Sequence, residues 1–316
     1  MAPCILCGKE APLKMRMPVD QKKFTPTKFG SIHHCGACDL GFVYPRPTVE
    51  ETNEFYQLDA YYTQGKSHFV EVRETFWDKV LLHLSWRTDY SRDLTEVLVS
   101  EVKKGGTILD VGCGSGQLLA KLSDRGYRCI GVERDANTIS VRAGSVLEGT
   151  AENLPAMAES FDAIVYSHVV EHLVDPVKAL RDAAKLLKPS GVMVIEVPNN
   201  ASLIAKYMGL AWENLDPPRH LSFFTERSLR ELLQRAGLQG RGTYYSGFCR
   251  HFSASYIATE QKIYDHLSGA RPATRNSHLN SWALLVNTAL SSKKRKYDAV
   301  GIIASSASIR GGVRES

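Results

Sequence analysis

The sequence predicts an α/β fold: a mostly parallel sheet of seven strands with helices between them, preceded by a small metal-binding module and a helical segment. Three observations carry this. From Thr107 onward, short β-branched or apolar runs alternate with helix-forming stretches. Glycines alternate directly after the first of those runs, at Gly112, Gly114 and Gly116. Two Cys-x-x-Cys pairs, Cys4/Cys7 and Cys35/Cys38, stand in the first 45 residues with 27 residues between them.

In chain order the cysteine pairs come first. Two thiolate pairs at this spacing suit tetrahedral zinc, each pair offered by a tight knuckle turn, with Gly8 after the first and Gly36 inside the second. Disulfides or unrelated thiols are the alternative. Four thiolates leave no coordination position open for chemistry, so the zinc is structural and supplies folding energy that so short a segment cannot bury as core. Pro45 and Pro47 mark a boundary, and Thr48 with Glu51 three residues on reads as the cap of a helix. Tyr56, Tyr61 and Tyr62 follow as lid or core aromatics, and a long helix is expected from about Val70 to Val102. The division is 1–45 zinc module, 46–97 helical lid or linker, 98–306 catalytic domain with a helical insertion at 249–292, and 307–316 tail.

The strands read as Thr107–Val111, Arg128–Val132, Ser145–Glu148, Phe161–Ser167, Val192–Val197, Gly240–Tyr245 and Asp298–Ala304. Helices are expected at Gln117–Arg125, Pro176–Leu187 and Ser228–Ala236. The last puts Leu229, Leu232, Leu233 and Ala236 on one face and stops at Gly237. Cys113, Cys129 and Cys249 read as small buried residues.

The glycines let the backbone turn sharply and lie against a ligand at a strand-to-helix junction. Their spacing is not G-x-G-x-x-G, whose third glycine would fall at Gln117. Asp110 stands two residues before Gly112. A carboxylate there repels a pyrophosphate and favours a cationic ligand. Glu133 ends the next strand, seventeen residues after Gly116, where it can accept both hydroxyls of a ribose. In this set, Asp110, Gly112, Gly114, Gly116 and Glu133, the chain resembles the class I S-adenosylmethionine-dependent methyltransferases. The resemblance implies a Rossmann-like sheet whose seventh strand is antiparallel, matched by Tyr297 to Ser305. It also implies S-adenosylmethionine as cofactor, with Ala151 backbone and Glu152 beside the adenine and His168 completing the set. The chain departs from the family at Thr150, where an aspartate is usual.

Ligands of open α/β sheets sit beyond the carboxyl ends of the strands. If Ser167 to Leu173 turns into a helix there, His168, Glu171 and His172 share a face. His220, in the Asp216 to Thr225 segment, can be held over the same opening. Histidine is the natural base near neutral pH, so His172 or His220 is expected to deprotonate a hydroxyl acceptor, with loop-shaping hydrogen bonds as the alternative role. Ubiquinone-pathway O-methyltransferases and small-RNA 2′-O-methyltransferases carry Glu-x-x-Glu-His and a later His that hold a divalent ion. The similarity implies a second metal at Glu171, His172 and His220, although His168 stands where the first Glu would be. Trp212, Phe223, Phe224, Tyr244, Tyr245 and Phe248 read as walls for a sugar or planar acceptor, or equally as core.

Methyl transfer to a small-molecule hydroxyl, sugar or secondary metabolite is therefore expected. The alternatives are an RNA methyltransferase that grips RNA with its zinc module, and a non-catalytic cofactor-binding scaffold. The charge is 39 minus 34, or +5, over 316 residues, without the dense basic face of a nucleic-acid binder. The basic run Lys293 to Lys296 reads as a solvated loop. No apolar run approaches ~20 residues and no signal-peptide core is visible, so no membrane partner and a cytoplasmic location with reduced thiols are expected.

Overall fold

A computed structural model describes residues 1–55, 70–135, 144–155, 160–267 and 278–307. The expected roles of Tyr56, Tyr61 and Tyr62, and of the tail from 308 on, lie outside the described residues.

The N-terminal segment forms β1 (Ala2–Pro3), β2 (Glu10–Ala11), β3 (Leu13–Arg16), β4 (Ser31–Cys35) and β5 (Leu40–Val43). Helix α1 (Val49–Phe55) starts as its residues dictate. Glu51 N–H donates to Thr48 Oγ1 at 3.2 Å and Thr48 N–H to Glu51 Oε2 at 2.9 Å, a reciprocal cap. The single helix expected over Val70 to Val102 is instead two, α2 (Phe76–Arg87) and α3 (Leu94–Glu101). The break has a local cause. Thr88 closes α2, and the Asp93 carboxylate accepts Thr95 N–H at 2.8 Å and opens α3.

The catalytic half runs β6 (Thr107–Val111), α4 (Gln117–Ser123), β7 (Arg128–Glu133), β8 (Ser145–Glu148), β9 (Phe161–Ser167), α5 (Pro176–Ala184), β10 (Leu187–Pro198), α6 (Leu203–Met208), β11 (Ser222–Phe223), α7 (Glu226–Arg235) and β12 (Leu238–Ser246). It closes with α8 (Ala254–Leu267), α9 (His278–Ala289), α10 (Lys293–Lys296) and β13 (Ala299–Ser306). The helix expected to reach Leu187 stops at Ala184 because Leu187 already pairs with Phe161 in the sheet. Lys293 to Lys296 is not a solvated loop. It is a helical turn whose Lys296 is buried, donating to Thr88 O and lying 4.6 Å over the Phe248 ring.

The large sheet has the order β12-β13-β10-β9-β6-β7-β8, with β13 antiparallel to both neighbours. Every residue of β6 and most of β9 and β10 are buried, as strands covered on both faces must be. The first strand of the motif, β6, lies between β7 and β9, so the chain reverses its direction of winding there. That switch point opens a crevice at the carboxyl edge. The N-terminal segment is sewn into the same body. β11 pairs with β5, giving a four-stranded sheet β11-β5-β4-β3. Cys4, Cys35, Leu40 and Phe42 pack in one buried cluster with Leu109 and Val111 of β6.

Candidate functional site

The sheet register brings the site residues to one edge. Asp110 lies level with Gly131 of β7 and Val165 of β9, and Glu196 of β10 lies level with Ser167. After β6 the chain turns on three glycines with left-handed φ: Gly112 at +72°, Gly114 at +52° and Gly116 at +83°. A Cβ on Gly112 would lie 2.6 Å from Val169 Cγ2, whereas one on Gly114 would meet nothing within 4 Å. Gly112 is thus required by the protein, and Gly114 leaves open space for a ligand.

Asp110 is 3% exposed, and burial followed by the nearby Glu133 carboxylate raises its pKa to about 7. Glu133 reaches back to the turn. Its Oε2 accepts Gly114 N–H at 2.8 Å and its Oε1 accepts Arg134 N–H at 2.9 Å. Two carboxylates therefore flank the glycines. Gly149 N–H donates to Glu133 O at 3.0 Å, which brings the turn at Thr150 to Asn153 beside it. Ala151 is buried in that turn, and Glu152 Oε1 accepts Val174 N–H at 3.1 Å. One Glu152 oxygen is thus occupied by the segment that follows the histidines.

The condition of a helix over Ser167 to Leu173 is not met: the segment forms a single 3-10 turn, Val170–His172, with His168 at φ +55° outside it. His168 shares no helix face with the others; it faces two acids. Its Nδ1 is 3.4 Å from Glu171 Oε1 and its Nε2 is 3.6 Å from Glu196 Oε1. Desolvation alone would lower its pKa, but Glu171 and Glu196 prevail and hold it near 10.

Ligating atoms of Glu171, His172 and His220 lie within 4.8 Å of one another, and the two imidazole centroids are 4.5 Å apart. His172 Nδ1 is 3.1 Å from Arg219 O, and His220 Nδ1 is 2.7 Å from Asn214 O. A carbonyl can only accept, so both Nδ1 atoms carry the proton and both Nε2 atoms offer a lone pair. Burial, then His220, pushes the His172 pKa down to about 4. Glu171 is 1% exposed and its pKa is lowered: burial would raise it, but the three neighbouring imidazoles outweigh that. Its Oε2 lacks a hydrogen-bond donor among the described residues, and its Oε1 is met by the His168 ring at 3.4 Å.

Sequence reasoning missed the residue that fixes this arrangement. Arg219, 1% exposed, forks onto Asp20 at 2.7 and 2.8 Å and onto Asp216 at 2.6 and 2.9 Å. Asp20 is 199 residues away, so no local pattern announces the pair. Arg46 adds bonds to Leu173 O, Val174 O and Leu221 O at 2.6 to 2.9 Å, tying both histidine segments to the N-terminal segment.

Beyond the sheet edge lies a cleft of about 810 Å³ bordered by Ser167, Glu196 and Gln117. Of the six aromatics expected around it, only Phe248 lines it among the described residues; Leu82 and Trp86 of α2, with Leu94 and Leu118, add to the apolar wall, and neither His172 nor His220 is among its lining residues. Phe224 and Tyr244 are buried in the core instead, Tyr244 because the period-two pattern of β12 turns it inward. In the N-terminal segment, Cys4 Sγ is 3.6 Å from Cys38 Sγ and Cys7 Sγ is 3.5 Å from Cys35 Sγ, with all four within 4.8 Å. These separations exclude disulfides, and they match the ~3.8 Å edge of a tetrahedron with Zn–S bonds of ~2.3 Å.

A family profile described as a methyltransferase domain matches residues 83–241, half of the chain. The chain belongs to this family, the class I S-adenosylmethionine-dependent methyltransferases. It is 32% identical over 165 residues to a ubiquinone biosynthesis O-methyltransferase of Cereibacter sphaeroides, covering 48% of this chain and 66% of that one. A ubiquinone biosynthesis O-methyltransferase of Caulobacter vibrioides is 35% identical over 106 residues, 30% of this chain and 42% of that one. The chain thus spans slightly less than two thirds of the length of the curated relatives it matches. A solved structure of Burkholderia thailandensis 1,6-didemethyltoxoflavin-N1-methyltransferase, with bound 1,6-didemethyltoxoflavin and S-adenosylhomocysteine, aligns with TM-score 0.41 at 15% identity over 75% of this chain and 92% of that one. Among the described residues no helix is long and apolar enough to cross a membrane.

Proposed function

We propose that this chain moves the sulfonium methyl of S-adenosylmethionine to a hydroxyl of a small-molecule acceptor. The observation that carries this reading is the left-handed glycine turn held between Asp110 and Glu133. Two carboxylates suit the cationic methionine end and the ribose hydroxyls of that donor, and oppose a phosphate. The acceptor oxygen attacks the methyl carbon in line as the carbon–sulfur bond breaks, the electron pair stays on sulfur, and the hydroxyl proton passes to His220 Nε2. His172 stands beside it as the second imidazole. The ubiquinone O-methyltransferase relatives support an oxygen acceptor.

Two metal assignments accompany this. Cys4, Cys7, Cys35 and Cys38 hold a structural zinc, as their near-tetrahedral sulfurs support. A second reading of the histidine pair is favoured by Glu171, whose buried Oε2 lacks a donor among the described residues: with His172 and His220 it would hold a divalent cation. Such an ion supplies a Lewis acid for the acceptor oxygen.

The test is transfer of label from methyl-tritiated cofactor into a pool of small hydroxylated metabolites. His220→Ala is expected to lower turnover by about 100-fold or more. Unchanged rates in both His172→Ala and His220→Ala would end the assignment of either histidine. Metal analysis separates the two readings: two ions per chain, falling to one in Glu171→Gln, supports the second, and a single zinc in both proteins refutes it.

A further inference from the structure

Helices α2 and α9 pack side by side over one buried cluster that holds Leu81 of α2 with Leu284 and Leu285 of α9, and α10 lies beside α9. Their outward faces are apolar where water would be expected. Phe76 is 71% exposed, Trp77 65%, Val286 58% and Leu290, just past the end of α9, 85%. The Phe76 and Trp77 rings meet with centroids 5.4 Å apart. Leu290 follows Val286 by one helical turn, so the two share a stripe. Single exposed apolar side chains are ordinary, but a contiguous set on neighbouring helices marks a docking surface.

The charge around this patch has one sign. Lys79 and Arg87 of α2 and Lys293 and Arg295 of α10 are all exposed. The one acid in the three helices, Asp78, is buried and closes the cap of α2 by accepting Thr75 N–H at 2.7 Å. Glu71 and Glu74 precede α2, with Arg73 between them, and leave the balance basic. A second copy seated on the same face would bring these bases together, which opposes self-association. Single-stranded nucleic acid stacks its bases on aromatic rings, and the aliphatic Val286 and Leu290 offer it no platform. An anionic lipid surface uses both features. Aromatic and aliphatic side chains enter the boundary between headgroups and acyl chains, while Lys and Arg meet the negative headgroups.

We propose that the face formed by α2, α9 and α10 docks on an anionic phospholipid surface, with Phe76, Trp77, Val286 and Leu290 in the headgroup–acyl boundary and the four exposed bases against the phosphates. Nothing crosses the bilayer in this arrangement, because a helix lying in the interface needs only an apolar face and flanking bases. The expectation of no membrane partner, drawn from the lack of a spanning run, therefore concerns spanning segments alone. Trp86, nine residues after Trp77 and so on the opposite flank of α2, lines the cleft beside Ser167 and Glu196, which sets that cleft alongside the docked face. The inference stands on surface chemistry and does not rest on the proposed methyl transfer.

The experiment is co-sedimentation of the purified chain with vesicles of pure phosphatidylcholine and of an equal mixture of phosphatidylcholine and phosphatidylglycerol. Binding to the mixed vesicles is expected to be at least about tenfold tighter than to the neutral ones, and to weaken as salt is raised. Trp77→Glu and Leu290→Glu should each weaken it about tenfold, and Lys79→Glu combined with Lys293→Glu by about tenfold or more. All four positions are exposed, and a thermal melt checks the fold of each variant; if Trp77→Glu fails to fold, Leu290→Glu decides in its place. Absence of binding to the mixed vesicles overturns the proposal, as does equal binding to both kinds or binding that no variant changes. A lipid-free dimer that Trp77→Glu dissolves, or single-stranded oligonucleotide binding that it abolishes, would assign the face to another partner and overturn it too.

Discussion

In the proposed reading, Asp110 couples cofactor binding to pH. Burial and Glu133 raise its pKa to about 7, and a cationic donor stabilises the ionised form. Binding therefore releases a proton near neutrality. Affinity is full above pH ~7 and falls as the pH drops through that value, by up to about tenfold per unit. Calorimetry in buffers of different ionisation enthalpy should show this proton release in the wild type and not in Asp110→Asn, which should also bind S-adenosylmethionine about tenfold more weakly. Arg219 acts at the same scale. Replacing it by Met leaves Asp20 and Asp216 buried without a counter-ion, and denaturant titration should show a loss of about 3–5 kcal/mol. Arg219→Lys should recover little, because an ammonium cannot fork onto two carboxylates.

The glycine turn was the most legible element. A β-branched run, an acid and three alternating glycines sit within ten residues, so local chemistry declares them. Gly112 and Gly114 differ in their demands. Gly112→Ala puts a Cβ 2.6 Å from Val169 in a left-handed backbone and should lower thermal stability as well as cofactor affinity. Gly114→Ala meets no neighbouring atom but keeps the left-handed strain, so its loss of stability should be the smaller of the two. Strands β6 to β9 could be read because buried parallel strands are continuous apolar runs. The break between α2 and α3 is declared by residues that cap a helix rather than continue it, Thr88 to Asp93, and Tyr90 N–H bonding to Tyr297 Oη at 2.9 Å, across 207 residues, anchors the chain there. The turn at Val170–His172 has no such local signal. Leu221 N–H takes Glu171 O at 2.8 Å, so a distant segment claims a carbonyl that a helix would have used. The catalytic candidates were thus legible as residue types, while their convergence depends on contacts outside any local window.

At the scale of the molecule, the four cysteines and the active face form one mechanical unit. The second knuckle joins β4 to β5, β5 pairs with β11, and β11 starts two residues after His220. Lys22 bonds Glu213 at 2.6 Å and Gln21 Nε2 bonds Leu210 O at 2.8 Å, which extends the seam. Stripping the zinc proposed for the four cysteines should therefore loosen the His220 strap together with the cysteine knuckles. Hydrogen exchange after chelation should rise at 209–225 as well as at 1–43, and unchanged protection at 209–225 would show that the two parts are independent. The whole account depends on the sign of the ligand that the glycine turn accepts. The direct test is titration calorimetry of the purified chain with S-adenosylmethionine, S-adenosylhomocysteine and NAD. Binding of both adenosyl compounds, with no heat from NAD, is the expected result; uptake of NAD with neither adenosyl compound bound would contradict it.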